Sequence, residues 1–362
     1  MRLDIWRTAK QSDQGVDRIS DMKLPVTTEG PGVKRRVIVL GASAGVIFIC
    51  LYVFLPSIAG VDETWAQISE GNPRWLLTAL AFEALSFLSY TAFFRLAISA
   101  TEVQIDWRAS YRITMAGVVA TRVLAIAGAG GIALTIWALQ KGGMKARQIA
   151  TSMATFYVVL YGIYMACLAG FGFGLASGLF AGPAPAGLTV APAIFGGLVI
   201  TAALVIGWIS PGLEHRPGSQ SEAKRTRVRR ALSTAAATVS SGVRGGVALL
   251  RAPSVGLLGA VGWWAFDIAV LWVCLKAFGA NPGGAVIVMA YFVGMAANVL
   301  PVPGGIGAVD GGIVAALVGF GVPAGTALVG VLSYRAVAFW LPIVPGVHAY
   351  LQLLRSPRQD DP

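Results

Sequence analysis

The chain has 362 residues, of which 56% are hydrophobic and only 12% charged, and its mean hydropathy is +0.70. These values lie outside the range of soluble globular domains, so an integral membrane protein is the expected class. The formal net charge of +11 does not point to nucleic acid, because Lys and Arg fall in segments flanking apolar stretches and no basic aromatic motif accompanies them.

Residues 1–36 are polar and basic without a periodic apolar face and read as a largely disordered cytoplasmic tail. A first span is expected from Val37 to Ile58, close to the roughly 20 residues that cross a bilayer. Ser57 and Ala59 resemble a weak signal-peptidase site, but the long preceding tail and long apolar run favour a retained anchor. Further spans are expected over Trp75 to Ile98, Ile149 to Ala176, Leu188 to Ile209, Val255 to Phe278 and Thr326 to Leu353, the last kinked at Pro342 and Pro345. Gly170, Gly174 and Gly178 recur at four-residue spacing, as close helix packing would require. Cys50, Cys167 and Cys274 stand far apart in apolar runs and read as small core residues, with no disulfide or metal spacing.

Two apolar stretches are interrupted. The first starts near Trp107, reaches Arg122-Val-Leu, breaks at Gly128-Ala-Gly-Gly131 and continues through Ile132 to Leu139. The second starts near Val286, reaches Asn298-Val-Leu, breaks at Pro301-Val-Pro-Gly-Gly-Ile-Gly307 and continues from Ala308 to Phe320. A second leg of about 8 to 13 helical residues is roughly 12 to 20 Å long, too short to cross the hydrocarbon. Both stretches are therefore expected to be re-entrant hairpins.

Lys and Arg set the orientation. Lys34-Arg35-Arg36, Arg108, Lys141 to Arg147, the cluster Lys224, Arg225, Arg227, Arg229 and Arg230, and Arg355 and Arg358 fall on one side, whereas the segment after the first span carries Asp62, Glu63 and Glu70. Both termini come out cytoplasmic in an inner (plasma) membrane. The first hairpin then dips from the cytoplasm and the second from outside. The expected fold is an all-α polytopic membrane protein: an inverted repeat of two halves, with six long transmembrane helices plus two re-entrant helical hairpins. Its parts are a first repeat over 37–176, the start of the second over 177–211, a basic cytoplasmic loop over 212–252, the remainder of the second repeat over 253–354, and a C-terminal tail over 355–362. In the basic loop, Val228, Leu232, Val239, Val243 and Val247 recur at near-helical spacing, as in an interfacial amphipathic helix on anionic lipid headgroups; a docking site for a cytoplasmic partner is the alternative.

The run Leu300-Pro-Val-Pro-Gly-Gly-Ile-Gly-Ala-Val-Asp-Gly-Gly312, followed by Gly321-Val-Pro and Ser333-Tyr-Arg-Ala-Val-Ala-Phe-Trp340, resembles the transmembrane family of lysylphosphatidylglycerol synthases and their stand-alone flippase-like relatives. Similarity runs more weakly through Arg122 to Met144. Asp310 stands where family members usually carry Glu. The resemblance implies translocation of phospholipids, aminoacyl-phospholipids or other envelope lipids. It does not imply synthesis, since the aminoacyl-transfer domain of bifunctional relatives has no counterpart in the eight residues after Leu354.

Ionisable residues at membrane depth are the natural site candidates, each costing about 2.5 to 3.5 kcal/mol at a helix centre unless paired or hydrated. They are Glu83, Arg112, Arg122, Asp267, Asp310, Arg335 and, nearer a helix end, Arg95. A lipid phosphate would be held by Arg122 and Arg335 with backbone N–H groups near Gly304, Gly305 and Gly307, with Asn298 and Arg112 also in the substrate set. Asp310 would bind a cationic headgroup or position an arginine, and Glu83 and Asp267 are ion-coupling candidates. The alternative is that Arg122 with Asp310, or Arg335 with Asp267, form buried ion pairs that never touch substrate. Trp263-Trp264 and Trp340 read as interface anchors or as acyl-chain contacts. No phosphate-binding loop is present and His215 and His348 form no metal motif, so no enzyme, metal or cofactor is expected. A small-solute or ion-coupled transporter and a non-transporting scaffold for an envelope-synthesis enzyme remain alternatives, as does a homo-oligomer.

Overall fold

A computed structural model of the chain describes residues 72–99, 105–123, 129–209, 225–251, 254–300 and 302–355. The expected tail over 1–36 and first span from Val37 to Ile58 lie outside the described residues. The protein is an all-α polytopic membrane protein, with no strand among the described residues.

The helices are α1 Pro73–Ser99, α2 Trp107–Val123, α3 Ala129–Lys141, α4 Ala146–Ala176, α5 Val190–Ile209, α6 Arg225–Arg251, α7 Val255–Ala277, α8 Gly284–Met295, α9 Ala308–Gly319, α10 Ala324–Arg335 and α11 Ile343–Arg355. Four of them, α1, α4, α5 and α7, are individually long and apolar enough to cross a membrane, and so is the interrupted stretch Ala324–Arg355. A 3-10 turn, Ala296–Val299, continues α8.

The expected kink in the last stretch is displaced. It lies in a π-helical segment, Ala336–Trp340, where the Leu341 N–H reaches back to the Ala336 carbonyl at 3.2 Å. Pro342 explains the position. Having no N–H, it leaves the Ala338 carbonyl without its helical donor, so the turn before the proline widens, while Pro345 falls in the first turn of α11, where it is tolerated.

The centre is the pair α1 and α7, the most extensive helix contact among the described residues. They run antiparallel. A Cβ on Gly256 would meet Leu96, one on Gly259 would lie 2.4 Å from the Ser89 carbonyl oxygen, and the Ser86 hydroxyl donates to the Trp263 carbonyl at 3.0 Å. Farther along, Phe82 stacks on Phe266. Where lipid supplies no hydrophobic drive, such small-residue contacts and interhelical hydrogen bonds hold helices together. Thr91 and Thr114 add a bond at 3.1 Å between α1 and α2, and the Trp264 indole N–H donates to the Leu160 carbonyl of α4 at 2.9 Å.

Both broken stretches form helical hairpins, α2 with α3 and α8 with α9. Each is drawn tight by glycine. A Cβ on Gly131 would lie 2.6 Å from the Gly117 oxygen, and one on Gly294 2.5 Å from the Ile313 nitrogen. The second legs, α3 and α9, have 13 and 12 residues. They end in the same turn: Met144 N–H bonds Leu139 O at 3.1 Å and Val322 N–H bonds Leu317 O at 3.0 Å, around Gly143 at φ 82° and Gly321 at φ 88°.

The four-residue glycine series does not serve helix packing. Space is open at Gly170, a Cβ on Gly174 would strike the Phe180 ring, and Gly178 has φ 76°, the left-handed conformation that ends α4. Close approach falls instead to Gly172 against the Thr189 oxygen, Gly196 against the Met165 oxygen and Gly242 of α6 against the Ala154 oxygen. The expected amphipathic helix is α6, and its second half lies on α4 and α5, with Ser240 and Val243 buried.

Gly294→Ala and Gly259→Ala are each expected to lower stability by about 1–3 kcal/mol, since backbone atoms cannot yield to the new methyl. Gly170→Ala is expected to be neutral or stabilising by up to about 1 kcal/mol. Thermal unfolding in detergent checks the three, and equal stability throughout would contradict the packing described.

Candidate functional site

The interrupted backbone of the last membrane stretch selects its partner. The Arg122 guanidinium, at the end of α2, donates through Nη1 to the Phe339 carbonyl and through Nη2 to the Ala338 carbonyl, the latter at 2.8 Å. Ala338 O is the acceptor that Pro342 leaves without its helical donor. A planar guanidinium can serve both oxygens at once.

Asp310 organises the tip of the second hairpin. It lies in the first turn of α9, where a carboxylate is favoured by the helix dipole, and its Oδ2 accepts the Gly307 N–H at 2.8 Å. Its Oδ1 accepts from Arg335 Nε in a salt bridge whose side chains are only 13% and 15% exposed. Arg335 Nη2 also donates to the Gly305 carbonyl at 3.3 Å. Both expected ion pairs are thus replaced by one, Arg335 with Asp310. Arg122 takes carbonyls, and the Asp267 carboxylate accepts from the hydroxyls of Tyr291 and Tyr334, the latter at 3.0 Å.

Phe339 joins the two arginines, with each guanidinium carbon 4.8 Å from its ring centroid. Gly304 lies against the same ring, at φ 59° and with 2.7 Å between an added Cβ and the ring, while a Cβ on Gly305 (φ 65°) would meet Asn298 Oδ1 at 2.6 Å. These glycines are required by the turn and by its contacts. The Gly305 N–H donates to the Val302 oxygen at 3.0 Å and the Gly307 N–H is held by Asp310, so these two N–H groups bond within the tip, not to a phosphate as expected.

Around this arrangement lies a cavity of about 400 Å³. Of the sequence candidates, Arg122, Arg335, Asp267, Asn298, Gly304 and Gly305 line it. Asp310 reaches it through Arg335. Gly307 and Glu83 are not in its wall, although Glu83 is buried, has no hydrogen-bond partner at Oε2 and feels the charges of Asp267 and Arg122. Arg112 is not brought to the cavity: it sits ten residues before Arg122 on α2, about 15 Å away along the helix axis. Arg95 closes the end of α1 by donating from Nε to the Ile105 carbonyl at 3.1 Å.

Sequence reasoning missed the aromatic wall, formed by Tyr90, Phe156, Tyr157, Tyr161, Tyr291 and Tyr334. One signal for it was present. Phe156-Tyr157 stands as far beyond Gly143 as Tyr334-Arg335 stands beyond Gly321. Trp263 and Trp264 belong to the same wall and do not serve as interface anchors: Trp264 is buried, and Trp263 packs on Tyr90 with ring centroids 4.6 Å apart.

The hairpin tip Leu300 to Gly312 supplies Asp310 and three of the glycines here. A family model described as the lysylphosphatidylglycerol synthase TM region matches residues 39–346. The chain belongs to that family. No curated protein matches it. Within this family member the matched region takes in both hairpins, α1, α7 and the π-helical break, so the whole wall of the cavity falls inside it.

Arg335→Met is expected to cost about 3 kcal/mol, near the low end for a buried pair broken from one side, because Asp310 is left without its cation. Arg335→Met combined with Asp310→Asn removes both charges, leaves an acceptor for the Gly307 N–H, and is expected to recover part of the loss. Thermal unfolding of the two variants decides it; a double variant less stable than the single one would exclude the ion pair as the cause.

Proposed function

We propose that this protein is a flippase-like translocase that moves a phospholipid, an aminoacyl-phospholipid or another envelope lipid between leaflets, and that it does so without covalent chemistry. The observation that carries this reading is the cavity, where Arg122 of the first hairpin meets Arg335 and Asn298 beside the second against an aromatic wall. Its volume of about 400 Å³ suits a headgroup whose acyl chains stay in the bilayer, being near the lower end of the roughly 300–1,000 Å³ typical of ligand sites. The two guanidiniums would take the headgroup phosphate by charge-assisted hydrogen bonds, with Asp310 orienting Arg335. Kinship with the synthase transmembrane region supports lipid as the substrate class.

Two features support alternating access by inverted halves. The shared turn after α3 and α9, with left-handed Gly143 and Gly321, gives the two hairpins the same exit. The antiparallel pairing of α1 and α7 is what counterparts inserted in opposite senses require. We read α3 and α9 as the short legs of re-entrant hairpins, and the Lys and Arg bias as placing both termini in the cytoplasm of an inner-membrane protein.

In liposomes carrying a labelled phospholipid, the protein is expected to speed exchange of the headgroup between leaflets. Arg122→Gln should slow it about ten- to hundred-fold, the worth of a charge-assisted hydrogen bond, while Arg112→Gln on the same helix leaves it unchanged. Lipid movement absent in the unaltered protein would favour a scaffold, and solute uptake without lipid movement a small-solute transporter. For orientation, single cysteines at Gly142 and Gly182 in a cysteine-free background should react from the cytoplasmic and external sides respectively; the reverse would overturn the inverted assignment.

A further inference from the structure

The buried charges around the cavity do not balance. Arg335 is neutralised by Asp310. That leaves Arg122 as the unneutralised cation of the described cavity wall, facing two acids, Glu83 on α1 and Asp267 on α7, at 4% and 7% exposure, while Arg335, already paired, also acts on Asp267. The antiparallel register that pairs Ser86 with Trp263 and Phe82 with Phe266 sets Glu83 level with Asp267. With every group ionised, the set Arg122, Glu83 and Asp267 carries one surplus negative charge in a medium that solvates it poorly. Such a charge is paired or titrated away.

The hydrogen bonds say which acid takes the proton. The Asp267 carboxylate is held by two phenol donors, Tyr291 from α8 and Tyr334 from α10, and donors of that kind stabilise the ionised form. Glu83 has no donor at Oε2, although its carboxyl is buried. The other titratable neighbours are Cys274 on α7 and Tyr334 on α10, neither of which supplies a positive charge.

We propose that Glu83 and Asp267 form a proton-binding site, with the proton resident on Glu83, and that an anionic headgroup entering the cavity draws in a further proton. This rests on the lipid reading above. The headgroup phosphate adds one negative charge beside Arg122 and Arg335, restoring the surplus, and the remaining carboxylate, Asp267, takes a proton from water to cancel it. Headgroup and proton then travel as a neutral set. Affinity for an anionic lipid therefore falls up to about tenfold per pH unit on the alkaline side, as linkage of one proton to one ligand requires.

The test uses the full chain in vesicles of ether-linked phosphatidylcholine, which has no ester carbonyl, at pH 7 and infrared spectroscopy, in which a protonated carboxyl has a C=O stretch that carboxylates lack. The unaltered protein is expected to show this band in its buried, slowly exchanging fraction. E83Q removes it directly. D267N also removes it, because Glu83 and Arg122 then balance without a proton. A band missing from the unaltered protein, or persisting in D267N, overturns the proton site; a glutamic acid neutral through burial alone would persist. The second arm adds short-chain phosphatidylglycerol in weakly buffered detergent and reads a pH indicator. Uptake of about one proton per lipid bound is expected, falling to near zero in D267N, and lipid binding without proton uptake overturns the coupling. Absence of lipid binding defeats the lipid reading and the coupling together, while the infrared band judges the proton site separately.

Discussion

A backbone interrupted at membrane depth has no water to satisfy the groups it releases, so the protein has to supply their partners. That constraint explains more of this molecule than any single ion pair. Pro342 removes one donor from the last membrane stretch, and Arg122 from another hairpin takes the Ala338 carbonyl so freed together with that of Phe339. The Pro-Gly-Gly tip frees groups of its own, and Asp310 and Arg335 take the Gly307 N–H and the Gly305 carbonyl. Each break is thereby tied to an ionic side chain that also borders the cavity or touches one that does.

Charged residues used in this way hold backbone groups and border the cavity at once, so an ion-pair role and the proposed binding role are not exclusive alternatives. Arg122 spends two donors on carbonyls of a guanidinium that has five, and Arg335 spends its Nε on Asp310 and Nη2 on Gly305. Among the described residues, donors remain on both. Phe339, in contact with both guanidiniums, holds the two cations at a separation fixed by one ring, a geometry that a single anion placed between them could use.

The class of the protein and, among the described residues, the positions of the long helices and the two helical hairpins were legible in the sequence because they depend on hydropathy and on local glycine and proline chemistry. Second legs expected at Ile132 to Leu139 and Ala308 to Phe320 appear as Ala129–Lys141 and Ala308–Gly319. Pairing was not legible. Three acids and several arginines can be joined in many ways, and register across helices, which no periodicity reports, decided for Arg335 with Asp310. The displaced kink shows the same limit on a smaller scale: a proline marks where a donor is lost, whereas the distortion appears in the turn whose acceptor it served. The aromatic wall was hidden because Tyr and Phe in an apolar helix are indistinguishable from ordinary core until the helix is rotated into place.

The α1–α7 interface connects these observations. Its small residues allow the helices to approach along their length, and close approach in an antiparallel sense brings the one acid of α1 level with the one acid of α7. Two carboxyls facing each other in the middle of an apolar contact destabilise it unless something pays for them, and packing alone would favour leucine at either position. The tyrosines on Asp267, contributed by α8 and α10, meet part of that cost, and Arg122 meets part from the first hairpin. The acids are therefore held at the junction of the two hairpins with the central helix pair. On the translocase reading proposed above, an anionic headgroup placed between the hairpin tips would change the charge balance at the α1–α7 contact itself.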